Sequence, residues 1–256
     1  MSASAEASRL RLKATTIGHA DHVFLSPLSP AKADWLIELL DPAHGARILD
    51  IGCGKAGFLR RLLLQRPGAT GVGLDINAAF LAVATSQAAK ENLSERLLLL
   101  EEPAADYLRD ADLFDVVLCF GASQALDGLD ALAAGARRAL RPGGRLLVGE
   151  GFWRQTPAAE YLAVLAARSD ELTDHAGNAA RLRAAGFEIL ATATAGGDEW
   201  DAYEGLYCRA KTRWAMDHGA DGDAARILAD AQDWHQAYLC WGRDTLGFGW
   251  YLAAAS

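Results

Sequence analysis

The chain predicts an α/β fold with a doubly wound, mostly parallel sheet, and three observations carry that prediction. The apolar run Arg47-Ile48-Leu49-Asp50-Ile51 stops at a glycine-rich turn, Gly52-Cys53-Gly54-Lys55-Ala56-Gly57, and an apolar-periodic segment, Phe58 to Leu64, begins at once. That order reads as strand, tight turn and helix. A second run, Thr70 to Leu74, ends in Asp75, about 20 residues past the turn, where a Rossmann-like unit places its ribose-binding carboxylate. Further apolar runs then alternate with helical patterns, as a βαβ architecture requires. Glycines belong in the turn because a side chain would block a ligand lying across the helix N-terminus. The first half of the chain therefore has the pattern of a nucleoside site.

In chain order, residues 1 to 13 are small and polar with a short basic end, which predicts a frayed start. His19 and His22 stand at i, i+3, a spacing open to metal ligation, but no third ligand lies nearby, so pocket-lining roles are expected and no metal. Ser29-Pro30 supplies an N-cap and a first-turn proline for a helix over Ala31 to Leu40. Asn77 caps a helix over Ala78 to Lys90 whose buried face is expected at Phe80, Leu81 and Val83. Leu97 to Leu100 reads as a buried strand and Phe114 to Gly121 as the fourth strand, ending in a loop that opens on the ligand crevice.

A helix over Asp127 to Leu140 follows, then the turn Arg141-Pro142-Gly143-Gly144-Arg145 and a strand over Leu146 to Glu150. Pro157 to Arg168 is an amphipathic helix, 170 to 177 a polar connection, Ala179 to Ala185 a crossover helix closed by Gly186, and Phe187 to Thr194 a strand. Before the last strand, Gly247 to Ala253, lie about fifty residues, too many for a structureless loop. They carry helical patterns over Trp200 to His218 and Asp223 to Gly242. Trp200, Tyr203, Tyr207 and Trp214 recur at helical spacing, as do Trp234, Tyr238 and Trp241. Such stripes are usually packing faces.

With 256 residues, 51% hydrophobic, the chain has enough apolar surface for a large core. A net charge of -8 and the lack of a sustained basic patch argue against nucleic acid as a partner. No apolar run approaches the ~20 residues of a membrane helix, and residues 1 to 18 lack a signal-peptide core, so a cytoplasmic protein with no membrane partner is expected. The four cysteines are far apart, without C-x-x-C pairs, which predicts reduced and mostly buried thiols. Cys53 fits the turn as a small residue beside a ligand better than as a nucleophile.

Gly52, Gly54 and Gly57 satisfy the G-x-G-x-x-G spacing of dinucleotide enzymes, but Asp50, two residues earlier, would repel a pyrophosphate. It suits a ligand with a cationic amino acid portion, and S-adenosylmethionine (SAM) is one. Ile48-Leu49-Asp50-Ile51-Gly52-Cys53-Gly54 resembles the first motif of class I SAM-dependent methyltransferases, and Gly73-Leu74-Asp75-Ile76 resembles their second acidic motif. The stretch from Leu140 to Glu150, LRPGGRLLVGE, continues the resemblance, which covers residues 46 to 151. Gly149 to Gln155 and Glu199 to Glu204 resemble signatures of the bacterial YjhP-like subgroup, a likeness that runs from Pro27-Lys32 to Arg243-Trp250.

The resemblance implies a seven-stranded, mostly parallel sheet with an antiparallel last strand and a helical lid insertion. It divides the chain into an N-terminal cap (1 to 45), a SAM-binding core (46 to 195, with 152 to 175 as a lid segment), a helical insertion (196 to 245) and a last strand (246 to 256). Asp75 and Ile76 would hold the ribose side of SAM, Asp50 with Gly52, Cys53, Gly54 and Gly57 the methionine portion, and Phe120 and Gly121 would border the methyl. Pro103 takes the place of the aspartate that often reads adenine, leaving that task to the backbone of Ala104 and Ala105 or to a neighbouring glutamate.

The implied activity is transfer of the sulfonium methyl to nitrogen or oxygen of a small polar metabolite, with S-adenosylhomocysteine as product. His22, Glu150, Tyr203 and Glu204 are the candidate catalytic groups, and His19, Phe24, Trp153, Arg154 and Trp200 the candidate acceptor-binding ones. A SAM-binding protein without methyl transfer and an NAD-dependent oxidoreductase are the competing classes. The residues give no oligomeric state.

Overall fold

A computed structural model describes residues 3 to 255. Helices α1 (Ala3–Gly18) and α2 (Pro30–Leu40) precede β1 (Arg47–Ile51), α3 (Gly57–Gln65), β2 (Thr70–Asp75), α4 (Ala78–Lys90), β3 (Leu97–Glu101) and α5 (Ala104–Tyr107). Then come β4 (Phe114–Phe120), a 3₁₀ turn (Ser123–Leu126), α6 (Leu129–Ala139), β5 (Leu140–Trp153), α7 (Ala159–Leu165), α8 (His175–Ala184) and β6 (Phe187–Thr194). The chain closes with α9 (Gly197–Asp217), α10 (Ala224–Ala237), a π-helical turn (Tyr238–Gly242), α11 (Arg243–Thr245) and β7 (Leu246–Ala255).

These elements fall into two units. The core unit, residues 24 to 152, 173 to 195 and 247 to 255, holds the sheet, whose order is β3-β2-β1-β4-β5-β7-β6. β1 lies inside, parallel to β2 and β4, with Asp50 opposite Gly73 on one side and Leu118 on the other. β7 runs antiparallel to β6, so the seven-stranded, mostly parallel sheet with an antiparallel last strand is as the sequence predicts. Period-two alternation sends Leu49, Ile51, Val117, Cys119, Leu146, Val148, Tyr251 and Ala253 into one core. Asp50 and Phe120 therefore belong to the other face.

Two local expectations fail here for geometric reasons. Leu97 to Leu100 is not a buried strand: β3 is an edge, and Leu98 is 54% exposed. On α4 the buried stripe runs through Phe80, Leu81, Ala84 and Ala88, while Val83, 39% exposed, lies off the i, i+4, i+8 line. The capping signals are realised, since the Lys32 N–H donates to Ser29 Oγ at 3.2 Å and the Ala79 N–H to Asn77 Oδ1 at 3.1 Å. Segment 24 to 45, expected within an N-terminal cap, groups with the core unit.

Among the described residues the helical unit comprises 3 to 23, 153 to 172 and 196 to 246. Here α9 packs against α1 and α10, and α10 against α7. The expected frayed start is helix α1 instead, because partners distant in sequence hold it. Arg9 donates to both Asp223 oxygens at 3.0 Å, and Lys13 Nζ donates to Asp221 and Asp223, each at 2.7 Å. Gly18 sits so close on the Tyr207 ring that a Cβ there would lie 2.2 Å from a ring carbon. The second insertion helix, expected to reach Gly242, ends at Ala237 and widens into the π-helical turn. Among the described residues no helix is long and apolar enough to cross a membrane, and no group of three or more His, Cys, Asp or Glu is placed to hold a metal.

Candidate active site

The turn between β1 and α3 is shaped by close approach. Gly52 has φ +68°, and a Cβ on it would lie 2.3 Å from Ala122 Cβ. Gly52→Ala is therefore expected to cost about 2–5 kcal/mol, the sum of left-handed strain and overpacking, read as a lower denaturant midpoint; an unchanged midpoint would contradict the close approach. Ala56, the N-cap of α3, is also left-handed at φ 52° without a side-chain cap, so this turn carries backbone strain of the kind that collects at binding sites. Gly57 opens α3. The Cys53 N–H donates to Leu74 O at 2.9 Å, tying the turn to β2. Burial, with the Asp50 and Asp75 charges, pushes the Cys53 thiol well above its usual range, so it is no thiolate nucleophile.

Two carboxylates flank the turn. Asp75, at the end of β2, accepts from the Gly54 N–H through Oδ2 and from the Asn77 N–H through Oδ1, both at 2.8 Å. A carboxylate offers about four acceptor positions, so these amides leave it capacity to accept from a ribose hydroxyl. Burial raises its carboxyl, and the Asn77, Gly54 and Ile76 amides pull it back. Asp50 is 4% exposed, and burial, then the nearby Asp75 charge, pushes it up to about 7. A buried carboxylate beside a second one calls for a cation. The methionine portion of SAM, with ammonium and sulfonium, meets that demand where a pyrophosphate would worsen it, so these residues fit SAM.

The remaining predicted cofactor residues border the same strand ends. Ile76, 68% exposed, follows Asp75 directly. Ala104 is buried and Ala105 exposed in the first turn of α5, which no side chain caps and which Pro103 precedes. Phe120 ends β4 with its ring edge-on to Phe58 at 4.7 Å and to Trp250 at 4.9 Å. The Gly121 N–H donates to Gly149 O at 2.8 Å. Glu150 extends one residue beyond the Phe120–Gly149 pair; burial raises its carboxyl against a hydrogen bond from Ser123 and one from the Gly151 amide. Its Oε2 is buried without a protein hydrogen-bond partner. Phe24 is buried in the core unit.

In the helical unit the structure gathers His19, His22 and Tyr203. Thr15 O accepts from His19 Nδ1 at 2.9 Å, so in the neutral ring Nε2 is the acceptor of the Tyr203 hydroxyl, also at 2.9 Å. His22 Nε2 donates to Tyr203 O at 2.9 Å, which leaves the ring lone pair on Nδ1. Burial raises the Tyr203 hydroxyl far above its ordinary value, so it donates as a phenol and does not ionise. Glu204, next in sequence, does not join this group: it accepts from Trp234 Nε1 at 2.6 Å on the α10 side.

Trp200 packs edge-on to Tyr203, with ring centroids 6.1 Å apart. The Trp153 indole N–H is committed to Ser169 O at 3.0 Å, and its ring packs with Tyr161 and Ala237. Arg154 is exposed, its amide donating to Thr245 O at 2.8 Å. Ser123, Trp234 and Tyr161 were not predicted: the partners of the first two, Glu150 and Glu204, are 27 and 30 residues away, and only the aromatic stripe of the insertion signalled Trp234.

The comparisons with known proteins agree with this geometry. A family described as "Methyltransferase domain" matches residues 49–146, from β1 to the body of β5. The chain is 30% identical to the uncharacterised protein YjhP of Escherichia coli over 243 residues, 94% of this chain and 97% of that one. Its structure is similar to a SAM-dependent methyltransferase from Geobacter sulfurreducens in complex with S-adenosyl-L-homocysteine, with TM-score 0.89 and 26% identity over 95% of this chain and 98% of that one. A SAM-dependent methyltransferase from Thiobacillus denitrificans, also in complex with S-adenosyl-L-homocysteine, superposes with TM-score 0.87 and 27% identity over 94% and 97% of the two chains. With Asp50, Asp75 and the glycine turn in place, and with its relationship to YjhP spanning nearly the whole chain, this protein belongs to the SAM-dependent methyltransferase family, with SAM as its cofactor.

Proposed function

We propose that the protein methylates nitrogen or oxygen of a small polar molecule, and that the helical unit recognises this acceptor. SAM brings an activated methyl group on a sulfonium, a leaving group that needs no acid. The tasks left to the chain are binding, alignment of the acceptor's lone pair for in-line displacement, exclusion of water and removal of one proton. In this reading Asp50 compensates the cationic end of the cofactor, Asp75 accepts from the ribose hydroxyls, Ile76 lies along the nucleoside, the Ala104 and Ala105 backbone reads adenine, and Phe120 with Gly121 borders the methyl.

The observation that supports the acceptor reading is the His19–Tyr203–His22 group. Its hydrogen bonds orient both imidazoles, and with His22 Nε2 donating to Tyr203 O, Nδ1 is the acceptor nitrogen of the neutral ring. His22 is assigned as the proton acceptor, Tyr203 and His19 as the residues that orient it, and Glu150 as a polar group beside the β4 end. Trp153 and Arg154 take positioning roles. The test is transfer of isotopically labelled methyl from SAM into pools of small amines and hydroxylated compounds, repeated with His22→Gln. The wild-type chain is expected to label at least one small acceptor, and the variant to turn over about 10²-fold or more slowly with unchanged affinity for S-adenosylhomocysteine. Equal turnover in the variant would remove His22 from the chemistry, and label appearing only in protein or nucleic acid would contradict the small-acceptor reading.

A further inference from the structure

Within the helical unit, a cavity of ≈ 10 Å³ is walled by the rings of Tyr161, Trp200, Trp234 and Tyr238, with Gly242 at one side and Glu204 as its carboxylate. That is room for about one water-sized group. The wall is built by irregular backbone: Tyr238 and Gly242 bound the π-helical turn, a feature often found at functional sites. Asp201 pins this turn by accepting from Tyr238 Oη at 2.6 Å and from Arg243 Nε at 2.9 Å.

The chemistry of the lining points to one kind of occupant. Glu204 is 4% exposed and oriented by the Trp234 indole N–H. Burial pushes its carboxyl up to about 7, against the pull of that hydrogen bond and of the Lys211 charge. Lys211 is committed elsewhere, to Asp230 and to the face of Tyr207. A carboxylate repels anions, and aromatic faces attract cations. The volume excludes a quaternary ammonium, whereas a primary ammonium head is close to water in size.

We infer that this cavity seats the primary ammonium group of a small amine, which makes the methyl acceptor a primary-amine compound. The inference rests on the acceptor-recognition role given to the helical unit. A protonated nitrogen has no lone pair, so the seated ammonium is an anchor, and methylation falls on a second nitrogen or oxygen of the same molecule.

The experiment is titration of the full chain with methylammonium chloride, followed by tryptophan fluorescence and calorimetry, with tetramethylammonium chloride and sodium acetate as comparison probes. Saturable binding of methylammonium alone is expected, weakened at least tenfold by Glu204→Gln and severalfold by Trp234→Phe, while both variants bind S-adenosylhomocysteine as the wild-type chain does. Absence of saturable methylammonium binding in a chain that binds S-adenosylhomocysteine would overturn the inference. So would equal binding by Glu204→Gln, or equal binding of tetramethylammonium or acetate. The two readings separate cleanly: methylammonium binding with label transferred only to macromolecules sinks the small-acceptor proposal and leaves an ammonium site. Methyl transfer to a small acceptor without methylammonium binding sinks only the site.

Discussion

Asp75→Ala is expected to weaken SAM and S-adenosylhomocysteine binding by about 10²- to 10⁴-fold. Each hydrogen bond between a carboxylate and a ribose hydroxyl contributes about 1.5–3 kcal/mol, and in the proposed arrangement the carboxylate would accept from up to two hydroxyls. It also accepts from the Gly54 and Asn77 amides at 2.8 Å, so the same side chain braces the glycine turn. Equilibrium dialysis with labelled cofactor measures the loss, and Asp75→Asn separates its causes. The amide retains one acceptor oxygen, so it should preserve part of the turn while losing most of the ribose affinity. Unchanged binding in Asp75→Ala would remove this residue from the cofactor site.

Asp50→Asn is expected to act in opposite directions on stability and on binding. Its carboxyl is raised from 3.8 to about 7 in the folded chain, while the unfolded chain ionises it near its ordinary value. Between those two pH values the folded state holds the extra proton. Stability from this group is therefore complete below about pH 4 and is lost as pH rises through about 7. Removing the ionisable group should make the variant more stable than wild type above pH 7, by up to about 4 kcal/mol at 1.36 kcal/mol per pKa unit, with the difference vanishing at acid pH.

The cofactor affinity of the variant should fall because, in the proposed arrangement, the buried charge that would meet the ammonium and sulfonium is gone. In the wild-type chain affinity should decline as pH drops below about 7, since a cation then has to displace the Asp50 proton. Denaturant midpoints of the two proteins without cofactor at pH 5 and pH 8.5 check the stability arm. Equal midpoints at pH 8.5 would show that Asp50 is not held at an electrostatic cost.

The split between what the sequence carried and what it did not follows the range of the interactions. The β1 turn, the acid that ends β2 and the mostly parallel sheet were legible because they are written in short, contiguous patterns: an apolar strand, glycines, and an acid one strand later. The helical unit was legible only as amphipathic pattern. Its polar arrangement depends on pairs such as Tyr203 with His19, 184 residues apart, and Arg9 with Asp223, 214 apart. No local rule places such pairs, and helix α1 forms where a frayed start was expected. Tyr203 and Glu204 also show how adjacency misleads, because neighbours on a helix point about 100° apart. One turns to the histidines and the other to Trp234. Likewise, an apolar run such as Leu97 to Leu100 cannot say whether its strand lies inside the sheet or at its edge.

The central claim is that the strand ends around Asp50 and Asp75 bind SAM, and calorimetric titration of the wild-type chain with SAM, S-adenosylhomocysteine and NAD tests it most directly. Stoichiometric binding of SAM and S-adenosylhomocysteine in the micromolar range, with no heat from NAD, is the predicted result. Binding of NAD with none of either sulfur nucleoside would contradict it and return the glycine turn to dinucleotide chemistry.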